Sequence, residues 1–215
     1  MAFDVVLLDL YDTIAWSEWF RLRDRIAART GLDDLALARA FEATRPLRGV
    51  GAFSDAFGDM AAVVEAAGLD PAPDLIRELV DLEREELTHR VHLYDDTLPA
   101  LSALRELGIP TALVSNCSHS TRPVVERLEL ERMFDAVILS FEVGAMKPDP
   151  AIYRAALSAL GADDPSRSVF VDDQPAYCDG AAAIGQQTRL MLRANEDAPQ
   201  DTGGHPVVTD LRWLG

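Results

Sequence analysis

The chain has 215 residues, 48% of them hydrophobic and 26% charged, the balance of a soluble globular protein with room for one large domain or a core plus a smaller insert. Twenty basic residues against thirty-six acidic ones give a net charge of -16, which excludes nucleic acid and anionic membrane as expected partners, because no basic stripe exists to displace counterions. An anionic small-molecule substrate would need a locally positive pocket built by a metal, a lysine or helix ends. The start, Met1-Ala2-Phe3-Asp4, has no signal-peptide pattern, and no stretch approaches the ~18–20 apolar residues of a membrane span. Cys117 and Cys178 lie far apart without metal-type spacing, so a reduced, cytoplasmic setting with free thiols is expected.

In chain order, Val5-Val6-Leu7-Leu8 is a continuous apolar run that predicts a strand buried on both faces, as in a parallel sheet. Between residues 15 and 91 no strand is expected. Helical patterns fill the interval: Trp16, Trp19, Phe20, Arg23 and Ile26; Leu35, Ala38 and Phe41; residues 55–67; and Pro73 to about Val91. Trp16 and Trp19 are expected in the apolar packing of this insert, and the run around Glu83, Glu85 and Glu86 as a solvated helix face. The Gly49–Gly51 loop with Arg48 is placed to reach a substrate, as lids do. Leu98, Leu101, Leu104 and Leu107 then mark a helix stopped by Gly108. Strands come next at Thr111–Val114, Ala136–Leu139, Val169–Val171, Arg189–Leu192 and Val207–Thr209. Val124, Val125, Leu128 and Leu130 form one helix face. A further helix is capped by Asp149, opened by Pro150 and ended at Gly161. Residues 194–206 read as a polar loop. Strand–helix alternation of this kind predicts an α/β fold, a parallel sheet with helices on both sides. Residues 1–14 and 92–215 form the core and residues 15–91 a helical insert.

Ligands of open α/β sheets bind at the carboxyl ends of the strands. The first strand ends in Asp9-Leu10-Tyr11-Asp12-Thr13, the second in Ser115-Asn116 and the fourth in Asp172-Asp173. After the third comes Lys147, the only lysine among twenty basic residues. An ammonium is a compact point charge and a guanidinium a broad planar fork, so a tight site holding a carboxylate or phosphate would require lysine there. Any one of these residues could be a turn former or helix cap; four in register are hard to attribute to turns.

This ordered set resembles the haloacid dehalogenase superfamily of hydrolases over essentially the whole chain: Asp9 in the first motif, Ser115 in the second, Lys147 in Met146-Lys147-Pro148-Asp149-Pro150, and Asp172-Asp173 in the fourth, with Gly180-Ala181 after it. The resemblance implies a Rossmann-like three-layer core with a helical cap inserted after the first motif. It implies Asp9 as nucleophile through a covalent aspartyl intermediate. It also implies Mg²⁺ held by Asp9, Asp172 and the Tyr11 carbonyl, with Asp173 on the metal or its waters. Ser115, the Asn116 N–H and Lys147 would hold a phosphate oxygen.

Two signals then disagree. Family phosphatases usually carry a second aspartate, as general acid and base, where Tyr11 stands, and 2-haloacid dehalogenases of the family have Asp-x-Tyr. As a catalytic residue Tyr11 could donate a proton, but a phenol is a poor base at neutral pH, and general acid–base catalysis is worth roughly 10²–10⁴ in rate. Against this, the dehalogenases resemble Ser-Ser-Asn in the fourth motif and work without metal. Two carboxylates ~4 Å apart repel by about 4 kcal/mol at an effective dielectric near 20, so three together call for a proton or a cation. The expected function is therefore a Mg²⁺-dependent phosphatase of a small phosphorylated metabolite. A 2-haloacid dehalogenase, or a binding protein that has lost turnover, is the alternative. Asp12, where the family usually has glycine, is read as a turn residue or as a substitute for the missing acid, the latter only if the turn is shifted. Cys117 and His119, after the second motif, are read as pocket-lining residues or, more simply, as loop residues, and Cys178 as a buried helix thiol.

Overall fold

The computed structural model describes residues 3–193 and 201–214. Its elements run β1 (Val5–Leu8), β2 (Ala15–Ser17), α1 (Trp19–Thr30), α2 (Asp34–Gly49), α3 (Ala56–Ala66), α4 (Pro73–Arg90), β3 (Val91–Leu93), α5 (Thr97–Glu106), β4 (Thr111–Ser115), α6 (Arg122–Arg127), α7 (Leu130–Met133), β5 (Ala136–Leu139), α8 (Ser140–Val143), α9 (Pro150–Ala159), β6 (Ser168–Asp172), α10 (Pro175–Ala183), β7 (Gln187–Met191) and β8 (Val207–Val208).

Six strands form one parallel sheet in the order β5-β4-β1-β6-β7-β8. The apolar run of β1 lies at its centre for the reason anticipated, because both faces are covered. Val6 and Leu8 join one apolar cluster, while Val5 and Leu7 join another with Ile152, Tyr153 and Ala156 of α9. Leu8 pairs with Leu113 on one side and Val171 on the other, so the ends of β1, β4 and β6 come out level at one rim. Helix α9 begins as expected: Asp149 accepts from the Ala151 N–H at 2.8 Å and Pro150 fills the first turn. On α10, a Cβ at Gly180 would meet the Pro148 carbonyl oxygen and Cβ at 2.7 Å. That glycine therefore allows the helix to lie directly against the segment carrying Lys147.

Four expectations fail. Residues 15–91 are not free of strand: β2 pairs antiparallel with β3, Trp16 opposite His92. A three-residue strand carries too short a pattern to read, and its partner is distant in sequence. Trp16 accordingly lies on β2, exposed, with its ring 4.8 Å from that of His92. Trp19 opens α1 and presents itself edge-on to Phe41 at 5.8 Å beside a cavity, outside the packed interior. The Glu83 run is not a solvated face. Ile76, Leu79, Glu83, Glu86 and Leu87 share the buried stripe of α4, and only Glu85 of the three acids is exposed. Glu86 is held there by Arg25 at 2.5 Å. The helix expected over Val124–Leu130 is broken into α6 and α7 by Glu129, at φ 53. Of the predicted polar loop 194–206, residues 194–200 lie outside the described residues. No helix among the described residues is long and apolar enough to cross a membrane.

Candidate active site

The sheet rim brings Asp9, Ser115, Asp172 and Asp173 together, and the segment between α8 and α9 delivers Lys147 to them. The Lys147 ammonium is buried. It donates to Asp9 Oδ1 at 2.5 Å, to Asp172 Oδ2 at 2.7 Å and to the Val114 carbonyl at 3.1 Å. Three acceptors satisfy all three of its protons, a convergent arrangement that suits a point charge and not a planar fork. Burial alone disfavours the ammonium, but Asp172 and Asp9 outweigh it and hold its pKa above the usual lysine value.

The carboxylates feel the opposite balance. Burial pushes Asp9 up to about 7, opposed by Lys147 and reinforced by Asp172. Burial likewise takes Asp172 to about 6, opposed by Lys147, and Asp173 to about 7, with help from the Asp9 charge. Asp172 Oδ1 accepts from the Gln174 N–H at 2.8 Å, which fixes its plane. Oxygen atoms of the three carboxylates lie within 4.8 Å of one another. One ammonium among three carboxylates leaves two negative charges when all are ionised. That donor set, oxygen only and short by two positive charges, fits a hard divalent cation. Lys147 thus supplies one of the positive charges that the three carboxylates call for.

Two side-chain clamps hold the turn after β4. Asn116 Nδ2 donates to the Lys147 carbonyl at 2.9 Å while its Oδ1 accepts from the Lys147 N–H at 2.7 Å. Ser140 Oγ accepts from the Cys117 N–H at 2.9 Å and donates to the Cys117 carbonyl at 3.0 Å. The Asn116 side chain is therefore engaged with the lysine segment, and its main chain is what it can offer a substrate. Ser115 Oγ is buried and has no hydrogen-bond partner among the described residues beyond a weak approach to the Cys117 thiol. Sequence reasoning missed Ser140, since a serine at a strand–helix junction carries no distinguishing pattern.

Tyr11 and Asp12 both reach the site. Burial raises the Tyr11 phenol above its ordinary range, so it stays protonated, and Thr121 hydrogen-bonds to it. Asp12 adopts φ 57, the left-handed region, with its N–H donating to the Ala15 carbonyl at 2.7 Å. Aspartate tolerates that conformation in turns, as the turn reading expects, and residues 11 and 12 both line the two cavities. Burial also raises the Asp12 carboxyl.

A cavity of about 260 Å³ is lined by Asp9, Ser115, Lys147 and Asp173. It adjoins one of about 480 Å³ walled by Trp19, Phe41, Arg48, Glu83 and Met146. Tyr11, Asp12, Arg45 and Asn116 belong to both. Arg45 donates to the Tyr177 hydroxyl at 2.9 Å, tying α2 to α10. His119 Nδ1 lies 2.9 Å from Asp59, tying the segment after β4 to α3; neither tie had a readable signal in the sequence. Cys117 borders the larger cavity with its thiol pushed up to about 12 by burial; Cys178 is buried in α10.

Residues 3–185 match the haloacid dehalogenase-like hydrolase family. The chain is 29% identical over 224 residues to phosphatase MT3486 of Mycobacterium tuberculosis (strain CDC 1551 / Oshkosh), covering all of this chain (100%) and 96% of that protein. It is 31% identical over 152 residues to (S)-2-haloacid dehalogenase 1 of Pseudomonas sp. (strain CBS-3), covering 70% of this chain and 63% of the relative. Among solved structures, the HAD family enzyme bt-2542 of Bacteroides thetaiotaomicron superposes with a TM-score of 0.71 at 20% identity, over 91% of this chain and 96% of that one.

Proposed function

The chain belongs to the haloacid dehalogenase-like hydrolases, and on that premise we propose that it is a Mg²⁺-dependent phosphatase of a small phosphorylated molecule, working through an aspartyl-phosphate at Asp9. The observation that carries this reading is the charge count at the sheet rim: three carboxylates with oxygens within 4.8 Å of one another and a single ammonium. Asp9, Asp172, Asp173 and the Tyr11 carbonyl would hold the ion, which supplies positive charge against the phosphate oxygens.

The remaining chemistry uses the chain's own groups. Asp9 attacks phosphorus, the bond to the ester oxygen breaks, and phosphate is carried as an acyl phosphate on Asp9. Ser115 Oγ and the Asn116 N–H hold one phosphate oxygen, and Lys147 offsets charge that develops in the transition state. Water then attacks phosphorus, releasing inorganic phosphate and the Asp9 carboxylate. Asp12 donates a proton to the departing oxygen and receives one from the water. This role rests on its place in both cavities. Residues 15–91 act as the cap over the site, since α1, α2 and α4 wall the larger cavity.

A 2-haloacid dehalogenase is the second reading, favoured by Tyr11 and by the likeness to the Pseudomonas enzyme. A panel of phosphate esters and 2-haloacids, assayed with Mg²⁺ and with excess chelator, separates the two. Phosphate release that chelator abolishes is expected; halide release that survives chelator would overturn the phosphatase. In the same panel Asp12→Asn is expected to lower kcat/KM for alkyl phosphates by roughly 10²–10⁴ and to spare kcat/KM for aryl and acyl phosphates, whose leaving groups need little protonation, while kcat falls for all esters through the shared hydrolysis step. An equal loss of kcat/KM on all esters, or none, would remove Asp12 as the acid.

A further inference from the structure

The larger cavity contains three arginines, and they are not equivalent. Arg23 lies 3.4 Å from Asp34, and Arg45 lies 3.7 Å from Glu42 while donating to Tyr177. Arg48 forms no ion pair with a carboxylate among the described residues. It is fixed by Nε on Thr44 Oγ1 at 3.0 Å and Nη2 on the Phe41 carbonyl at 2.9 Å, with its guanidinium carbon 5.1 Å from the Phe41 ring centre. A guanidinium has five N–H donors, so these two bonds orient it and leave others without a hydrogen-bond partner among the described residues, on a side chain that lines the cavity. Half-buried and rigidly placed, it is a cation awaiting an anion.

The surroundings define the rest of the ligand. Trp19, Phe41 and Met146 give the wall an apolar and aromatic surface. Glu83, buried on α4 and hydrogen-bonded by Ser120, is the nearest acid to Arg48 in electrostatic effect, yet it does not pair with it. The shared lining by Tyr11, Asp12, Arg45 and Asn116 makes the two cavities one path. A phosphoryl group held in the smaller places the organic part of its ester in the larger.

We propose that Arg48 is a second anion site, and that the leaving group of the substrate carries an oxyanion, a carboxylate or another phosphate, held by Arg48 against the Phe41 and Trp19 wall. This rests on the phosphatase reading for the orientation of the ester and names the class of leaving group. The site selects by charge: a neutral leaving group of the same shape leaves Arg48 half-buried and unpaired, while an anionic one gains a charge-assisted hydrogen bond.

The test compares 4-carboxyphenyl phosphate and 4-(phosphonomethyl)phenyl phosphate with the neutral isostere 4-carbamoylphenyl phosphate, in the presence of Mg²⁺. At least one anionic ester is expected to exceed the neutral one in kcat/KM by roughly tenfold to a hundredfold, and which of them does so tells carboxylate from phosphate. Arg48→Met is expected to collapse that ratio to about twofold or less, with Arg48→Lys intermediate. Glu83→Gln, which removes a competing charge, should keep the ratio or raise it. A wild-type ratio near one, a ratio unchanged in Arg48→Met, or an equal collapse in Glu83→Gln would overturn the proposal. The same three compounds are titrated by calorimetry against Asp9→Asn with and without Arg48→Met. An Arg48-dependent preference in Kd without turnover in the wild type keeps the anion site and sinks the phosphatase. Turnover without preference does the reverse, and no binding of any compound sinks both.

Discussion

Asp9→Asn is expected to remove turnover almost completely, by about 10⁴-fold or more in kcat, while changing unfolding stability by no more than about 1 kcal/mol. The two halves of this expectation have different origins. Activity goes because an amide oxygen cannot form the acyl phosphate, and no neighbour replaces it: Asp172 is fully buried with both oxygens occupied, by Lys147 and the Gln174 N–H. Stability stays because Asn preserves an oxygen for Lys147, and the Lys147–Asp172 pair persists at 2.7 Å. Burial already works against the charge on Asp9, so losing that charge costs the fold little. Single-turnover assays and urea midpoints read the two effects separately. Residual activity within a hundredfold of wild type would place the nucleophile elsewhere.

Lys147→Met is expected to damage both properties. Deleting one partner of a buried ion pair typically costs about 3–5 kcal/mol, because the remaining charge is left uncompensated. Here two carboxylates, Asp9 and Asp172, would be left at once. The rate should fall by at least about 10²–10³-fold, the usual cost of removing one group that stabilises transition-state charge. Adding Asp172→Asn to the same chain should return part of the stability, since it removes one of the two orphaned charges, and none of the activity. That non-additivity in a double-mutant cycle is the diagnostic result. Additive losses would mean that Lys147 and Asp172 act independently, contrary to their contact. Lys147→Arg is a poor substitute for the same geometric reason that selects lysine: three acceptors converge on one atom.

Much of the fold and site is legible in the sequence where residue type and position speak together. The unbroken apolar run of β1 announces a strand covered on both faces, and Asp149-Pro150 announces the start of α9. Lys147 stands out by its rarity, and Asp9, Ser115 and Asp172 stand out because each closes an apolar run with a polar group. Charge misleads where it is taken as a sign of solvent. Glu83 and Glu86 continue the stripe begun by Ile76 and Leu79, so the helical period places them inside despite their charge. The strand at Ala15–Ser17 and the clamps from Asn116 and Ser140 depend on partners 20 or more residues away. No local pattern encodes such pairings. Arg48 resembles its eighteen fellow arginines until the structure shows which ones already have carboxylates.

The position of Lys147 also bears on how this molecule meets reagents. Most proteins of its size present many primary amines on their surface, and acylating labels, imide cross-linkers and aldehyde fixatives act on those. Here the one lysine is 3% exposed and hydrogen-bonded on every side. The folded protein is therefore nearly inert to side-chain amine chemistry, and surface immobilisation through lysine will fail. The same residue becomes a single-site reporter: modification at position 147 records the opening of the molecule at its centre, one event per chain, with no background from other lysines.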